Sequence, residues 1–190
     1  MRINHNIIAM NNHRNMALNN VAAGKSMEKL ASGLRINRAA DDAAGLSISE
    51  VMRGQIRGLQ QAQRNTQDGI SFVQTAEGAM NEVSAMLVRM KELNVQKANG
   101  TYSSVDVANI DDELNELGAQ IDEIMKTKFN GITITAGATI VVDDVGTTIG
   151  IASINTASFS SLSASSTLAS IENAIKAVAT ERAKLGAKQN

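Results

Sequence analysis

The chain has 190 residues, 43% of them hydrophobic but only 2% aromatic, so one domain, or one domain with an extension, can form around an aliphatic core. Its 18 basic and 19 acidic side chains nearly cancel and form no basic block, which argues against a nucleic-acid partner. Cysteine is absent, so neither disulfides nor thiolate metal sites are available, and no redox compartment is selected.

The first twenty residues, MRINHNIIAMNNHRNMALNN, carry Arg2 but are broken by Asn and His. They hold no apolar run long enough for a secretory signal peptide or a membrane span, so export from the cell would need another route. Ile3, Ile7, Met10, Ala17 and Val21 keep helical spacing, with Met27, Leu30 and Leu34 further on. Seven asparagines among them, Asn4, Asn6, Asn11, Asn12, Asn15, Asn19 and Asn20, are poor helix formers, so this stripe needs a partner to stay helical. Gly33 can end the segment at a left-handed position, and Leu34 to Gly45 then reads as a connector.

Proline is absent, which permits very long helices. Val73, Ala76, Met80, Val83, Leu87 and Met90 recur at steps of three and four, and projected backward the seam includes Met52, Leu59 and Ala62. The spacing predicts a helix from about Leu46 to about Asn99, roughly 80 Å long at 1.5 Å per residue. Gly100 and Ser103 mark a turn. A second helix follows on Val107, Ile110, Leu114, Leu117, Ile121 and Ile124, with Asp106, Asp111, Asp112 and Glu113 near its positive dipole end.

Three stretches, Ile132 to Thr135, Thr139 to Val142 and Thr147 to Ile151, are rich in β-branched residues, and Asp143 to Gly146 suits a hairpin turn. Residues 153–167, SINTASFSSLSASST, read as a surface connection or packed loop; glycosylation of the serines is weighed against a plain solvated loop, and the solvated loop is preferred. Helical spacing returns in Leu168, Ile171, Ile175, Val178, Arg182 and Leu185, with Ser165, Ser166 and Thr167 as capping candidates. Three helices thus carry apolar seams too costly to leave wet. The expected fold is mainly α: a long antiparallel, coiled-coil-like helical bundle from residues 46–126 and 167–188, with a small β-hairpin region and an N-terminal helical extension. The expected division is residues 1–45 as helical segment and connector and 46–190 as bundle, with the short β/loop region at about 131–166.

Chemistry finds little support. His5 and His13 lie two turns apart, too far to share a metal without further donors, and no third ligand is evident. Asp41 and Asp42 diverge on a helix with no pocket pattern around them, so a solvent or salt-bridge role is preferred to acid and base catalysis. No strand leads into a glycine cluster that opens a helix, so there is no phosphate loop. The expectation is a non-enzyme without cofactors.

Residues 28–84 contain the run Ser32, Gly33, Leu34, Arg35, Ile36, Asn37, followed by Ala40, Asp41, Asp42, Ala43, Ala44, Gly45, with a second block from Arg64 to Gly78. With Phe129, Asn130 and Gly131, these resemble the N-terminal region of bacterial flagellin, and Leu168 to Asn190, ending in Leu185, Gly186, Ala187, Gln189, Asn190, resembles the entry into that family's last long helix. The resemblance implies a structural filament subunit that assembles through an α-helical core, with Ile3, Ile7, Met10, Val21, Leu34, Arg35, Asn37, Asp41 and Asp42 as candidate self-assembly residues. It also implies export through the flagellar type III apparatus, a flagellar export chaperone, other flagellin subunits and the filament cap as partners, and an extracellular flagellum as destination. Recognition by the host receptor Toll-like receptor 5 is implied for the stretch LVRMKELNVQ, with Arg89, Leu93, Glu113 and Arg182 as candidate contacts. The structural alternatives are packing of Leu93 against a neighbouring helix, a surface ion pair between Arg89 and Glu113, and a buried stem for Arg182. Val88 and Glu116 replace an expected Gln in each case.

Because the chain stops at Asn190, the resemblance further implies a shortened form without the helix that pairs with the N-terminal stripe. Residues 1 to about 40 are then expected to be mobile in a free monomer, and sensing by cytosolic receptors that read the missing helix is expected to be lost. The competing readings are a hook-filament junction protein and a soluble ligand for an innate receptor.

Overall fold

The computed structural model describes residues 6–190, which divide into two compact units, the first up to Arg57 and the second Gly58–Asn190. Ile3 and His5 lie outside the described residues.

The first unit opens with helix α1, Ile7–Ser32. The Asn6 side chain accepts a hydrogen bond from the Ala9 N–H at 3.1 Å, and Gly33 closes the helix with φ 67°, a left-handed position that glycine adopts without Cβ strain. After the connector comes α2, Ala43–Lys97, whose 55 residues contain no proline to interrupt them. Asp42 starts it: its carbonyl accepts the Leu46 N–H at 3.0 Å, and its carboxylate accepts the Gly45 N–H at 2.9 Å.

In the second unit, α2 is joined by α3, Ser104–Ile124, and α4, Leu168–Gln189. Ser103 caps α3 in a reciprocal box with Asp106, and Thr167 caps α4 through the Ser170 N–H. Ion pairs show the helix directions. Lys91 meets Glu172 at 2.9 Å while Arg182 meets Glu77 at 3.9 Å, so α2 and α4 run antiparallel; Arg89 with Glu113 and Lys97 with Asp111 show the same for α2 and α3. These half-exposed pairs each contribute about 0–1 kcal/mol. Burial in the core stabilises the bundle far more: Val73, Ala76, Met80, Val83, Leu87, Met90 and Leu93 of α2 pack with Ile110, Leu114 and Ile121 of α3 and Ile171, Ala174, Val178 and Leu185 of α4.

Two small antiparallel sheets follow α3. Strands β1, Lys128–Phe129, and β2, Ile132–Thr133, pair around Asn130 and Gly131, and a 3-10 turn continues over Ile134–Ala136. Strands β3, Ala138–Val141, and β4, Thr148–Ile151, form the second, with Ala138 opposite Ile151 and Val141 opposite Thr148. Phe129 meets Phe72 of α2 edge to face, with centroids 5.9 Å apart. The expected strand at Ile132 to Thr135 is therefore cut to two residues, because Ile134 turns inward to a core position and takes the chain with it.

Three further expectations change. The backward seam stops at Ala62: Leu59 and Met52 are exposed, since apolar spacing marks a face of a helix but cannot supply the element that covers it. On α4 the buried line is Ile171, Ala174, Val178, Glu181, Leu185; Leu168 is exposed, and Ile175 and Arg182 lie beside the seam at intermediate burial. Glu181, 8% exposed, reaches Lys184 at 2.8 Å. Finally, of the two readings for residues 153–167, the packed loop holds in place of the preferred solvated one. Ile154, Phe159 and Leu162 are buried in the core, and Phe159 is among the largest fully buried side chains. The loop's backbone is held from the helices: Asp122 accepts the Ser161 N–H at 3.1 Å, Asn115 accepts the Ala164 N–H at 3.0 Å, and Asn94 donates to the Ser166 carbonyl at 2.9 Å. Gly118 of α3 makes room for it, because a Cβ there would strike the Leu162 carbonyl.

The packed loop yields two contrasts measurable by urea unfolding. Phe159→Ala is expected to cost about 3–5 kcal/mol, where a solvated loop would lose less than about 0.5 kcal/mol. Gly118→Ala is expected to cost about 1–3 kcal/mol by overpacking, whereas Gly78→Ala, with open space around its Cα, should gain about 0.5–1 kcal/mol from helix propensity. Titration offers a separate check. The Ser103 hydroxyl and N–H hold the Asp106 carboxylate below its ordinary value of 3.8, whereas hydrogen bonding to Asp143, burial and the neighbouring charge hold Asp144 above it. Cap stabilisation by Asp106 should be complete above the ordinary carboxylate range and decline as pH falls through the lower folded value. Carboxyl NMR should find the Asp106 midpoint below that of Asp144, and the reverse order would refute the cap.

Candidate interaction surfaces

The first unit has helices but no core. Among its described residues none is buried, and the large side chains of α1 stand in solvent, from Met16 at 59% to Leu30 at 84% exposure. Several are eleven residues apart: Ile7 and Leu18, Met10 and Val21, Met16 and Met27. Eleven residues are close to three helical turns, so each pair shares a face. Ile7, Met10, Leu18 and Val21 occupy one side of the cylinder, with Ile8, Met16, Met27 and Leu30 on another. The stripe expected from the sequence thus divides between the two faces, Ile7, Met10 and Val21 on one and Met27 and Leu30 on the other, and it leaves out Ile8, Met16 and Leu18. The start of α2 adds Ile48, Val51, Met52 and Ile56, all exposed. The eleven-residue spacing was the signal for Leu18, paired with Ile7, and for Met16, paired with Met27; Ile8 has no such partner.

The connector is held by its own polar side chains. Asn37 donates through Nδ2 to the Glu28 carbonyl at 3.1 Å and to the Ser32 hydroxyl at 2.8 Å. Arg38 reaches Glu28 at 2.8 Å. Asp41 accepts the Asn37 and Arg38 N–H groups at 3.3 and 3.4 Å, and these backbone bonds, the Asn37 one first, hold its carboxyl below the ordinary range. Asp42 caps α2. The pair therefore organises backbone, which replaces the salt-bridge or solvent role expected for it: each carboxylate faces N–H groups left free by the turn or the helix start. A Cβ at Gly45 would fall on the Asp42 carboxylate and 2.9 Å from Ile36 Cδ1, so the cap also needs a glycine. Leu34 and Arg35 are exposed on this connector.

A second, charged surface lies in the second unit. Arg89 donates from Nε and Nη2 to Glu113 at 3.0 and 2.9 Å and from Nη1 to Glu92 at 3.4 Å, and the Glu113 contact is the main reason its guanidinium is held further in the charged form. Both partners remain about half exposed. Leu93 is only 2% exposed and belongs to the core. Arg182 pairs with Glu77. Arg89 and Glu113 thus come together, while Leu93 offers no surface. Among the described residues no group of three His, Asp or Glu side chains could hold a metal ion, and no helix is long and apolar enough to cross a membrane.

Residues 3–139 match the family model described as the bacterial flagellin N-terminal helical region. The flagellin of Halalkalibacterium halodurans is 46% identical over 208 aligned positions, which cover 100% of this chain and 76% of the relative. Bacillus subtilis flagellin is 58% identical over 134 residues, 69% of this chain and 44% of that protein. The flagellar filament 41 kDa core protein of Borreliella burgdorferi is 53% identical over 124 residues, 65% of this chain and 37% of its own length. The chain thus spans less than half the length of these last two relatives. The crystal structure of Bacillus cereus flagellin superposes with a TM-score of 0.60 at 31% identity, covering 67% of this chain and 84% of that one. A family model that matches most of the chain, a relative aligned along all of it and a shared helical fold lead to one conclusion: this chain belongs to the bacterial flagellin family.

Proposed function

We propose that the chain is a structural subunit of the flagellar filament and that its first unit supplies the assembly surface. The observation that carries this reading is the coreless first unit, whose backbone polar groups are capped and bonded while its apolar side chains stand in water. Burying such faces against other copies removes apolar area from solvent without unmet backbone cost. The names of the relatives, flagellin and flagellar filament core protein, favour the filament over the hook-filament junction. Export as an unfolded chain, with a chaperone before secretion and a cap at the growing tip, accords with the absence of a long apolar run in the first twenty residues. Of the candidate assembly residues, Ile7, Met10, Val21 and Leu34 would make apolar contacts. Asn37, Asp41 and Asp42 would act indirectly, by holding the connector. Ile3 and Arg35 complete the proposed set.

One observation favours a second property. The adjacent, half-exposed Arg89 and Glu113 offer a charged patch of the kind Toll-like receptor 5 would contact, with Arg182 as a further candidate. Leu93 would serve it only by packing beneath.

Assembly is tested by seeding purified protein with short filaments of a full-length relative and counting incorporated subunits by electron microscopy. The native chain should join the filaments. Leu18→Asp with Val21→Asp should raise the concentration needed by at least about tenfold, or about 1.4 kcal/mol, with thermal unfolding of the second unit unchanged. Equal incorporation of both proteins would refute the interface. Receptor binding has its own test: Arg89→Ala should weaken it by about tenfold or more, and an unchanged affinity would remove the patch from consideration.

A further inference from the structure

Methionine is the only sulfur in the chain: it has 9 methionines and no cysteine. They are not spread evenly over the fold. Met10, Met16, Met27 and Met52 are 57–67% exposed and all lie in the first unit, among the apolar side chains assigned above to assembly. In the second unit Met80 and Met90 are completely buried, Met125 is buried and Met86 is half-buried against the core, while Met1 lies outside the described residues. Exposure of the thioether governs its attack by peroxide, so the same chain holds a reactive set and a shielded set.

We propose that Met10, Met16, Met27 and Met52 form a peroxide-sensitive modification site on the assembly face, and that their conversion to sulfoxide stops the subunit from joining a filament. The inference rests on the assembly reading. In each event the thioether sulfur attacks one oxygen of hydrogen peroxide, the O–O bond breaks, that oxygen becomes the S=O, and the other leaves as water. Sulfur loses two electrons and peroxide gains them. The product carries a strong acceptor where a flexible apolar side chain stood. The side chains of Ile7, Leu18 and Val21 beside Met10, and of Ile8 and Leu30 beside Met16 and Met27, have no N–H or O–H to offer it, so burial against such side chains between subunits would leave the acceptor unpaired. The core of the second unit is spared because Met80 and Met90 are out of reach. Oxidation therefore disables association without unfolding the subunit, and methionine sulfoxide reductases can reverse it.

The full chain is exposed to hydrogen peroxide as monomer, mapped by peptide mass spectrometry over time, melted by circular dichroism and then offered to filament seeds. Met10, Met16, Met27 and Met52 should oxidise at least about tenfold faster than Met80 and Met90, the melt should stay unchanged, and incorporation should fall by at least about tenfold. Reductase treatment should restore it. The quadruple variant M10L/M16L/M27L/M52L should join filaments equally before and after peroxide. Oxidation of Met80 and Met90 at the same rate, undiminished incorporation of the oxidised protein, or equal sensitivity of the quadruple variant would each overturn the proposal. Untreated protein that never joins filaments would overturn the filament reading and the assembly half of this inference together, while the oxidation map would still decide the reactive set.

Discussion

The seam of α2 from Val73 to Leu93 is the interaction on which the second unit depends. Seven of its side chains, spaced by threes and fours, become nearly solvent-free only because α3 and α4 lie antiparallel against the same helix. No aromatic cluster could replace them in a chain with 2% aromatic residues, so stability is carried by close aliphatic packing. The surface ion pairs that join the helices set direction and register more than they add energy.

Packing at this density needs backbone to come close, and glycine permits it at two places. Gly69 of α2 makes space for Ile140 of the second hairpin, and Gly118 of α3 lets the Leu162 carbonyl pass. A chain stretch that close to a helix must have its own N–H and C=O groups satisfied. Asn94, Asn115 and Asp122 do this with side chains projected from α2 and α3, and Lys97 joins them by donating to the Ala164 carbonyl at 3.2 Å. The Ser-rich segment thereby becomes a strap whose Phe159 and Leu162 finish the core.

The first unit follows a different balance. Its polar groups are satisfied locally, through Asn6, Asn37, Asp41 and Asp42, and its apolar groups are not satisfied at all. Such an arrangement keeps the geometry of α1 and the connector definite without burial of its apolar side chains, and the proposed assembly would draw on that unused hydrophobic driving force. The same division leaves Met10, Met16, Met27 and Met52 exposed in the first unit and Met80 and Met90 buried in the core of the second.

Much of this was present in the order of residues. Proline-free periodicity predicted the long helices to within three residues for α2, Ser103 marked the turn before α3, Thr167 announced the cap of α4, and Gly33 the left-handed stop of α1, because these depend on contacts within one or two turns. The motif around Asp41 and Asp42 carried the family resemblance, although the reason for those residues, a hydrogen-bonded connector, emerged only with the backbone in place. Tertiary structure alone decided which apolar faces are covered. Met52 and Leu59 continue the spacing of Met80 and Leu87 but stay wet, Glu181 enters the seam where Arg182 was expected, and Ile154, Phe159 and Leu162 of the serine strap are buried beside helices far away in sequence. Periodicity is a property of one helix, whereas burial is a property of two surfaces, and the second surface is brought up by residues dozens of positions away.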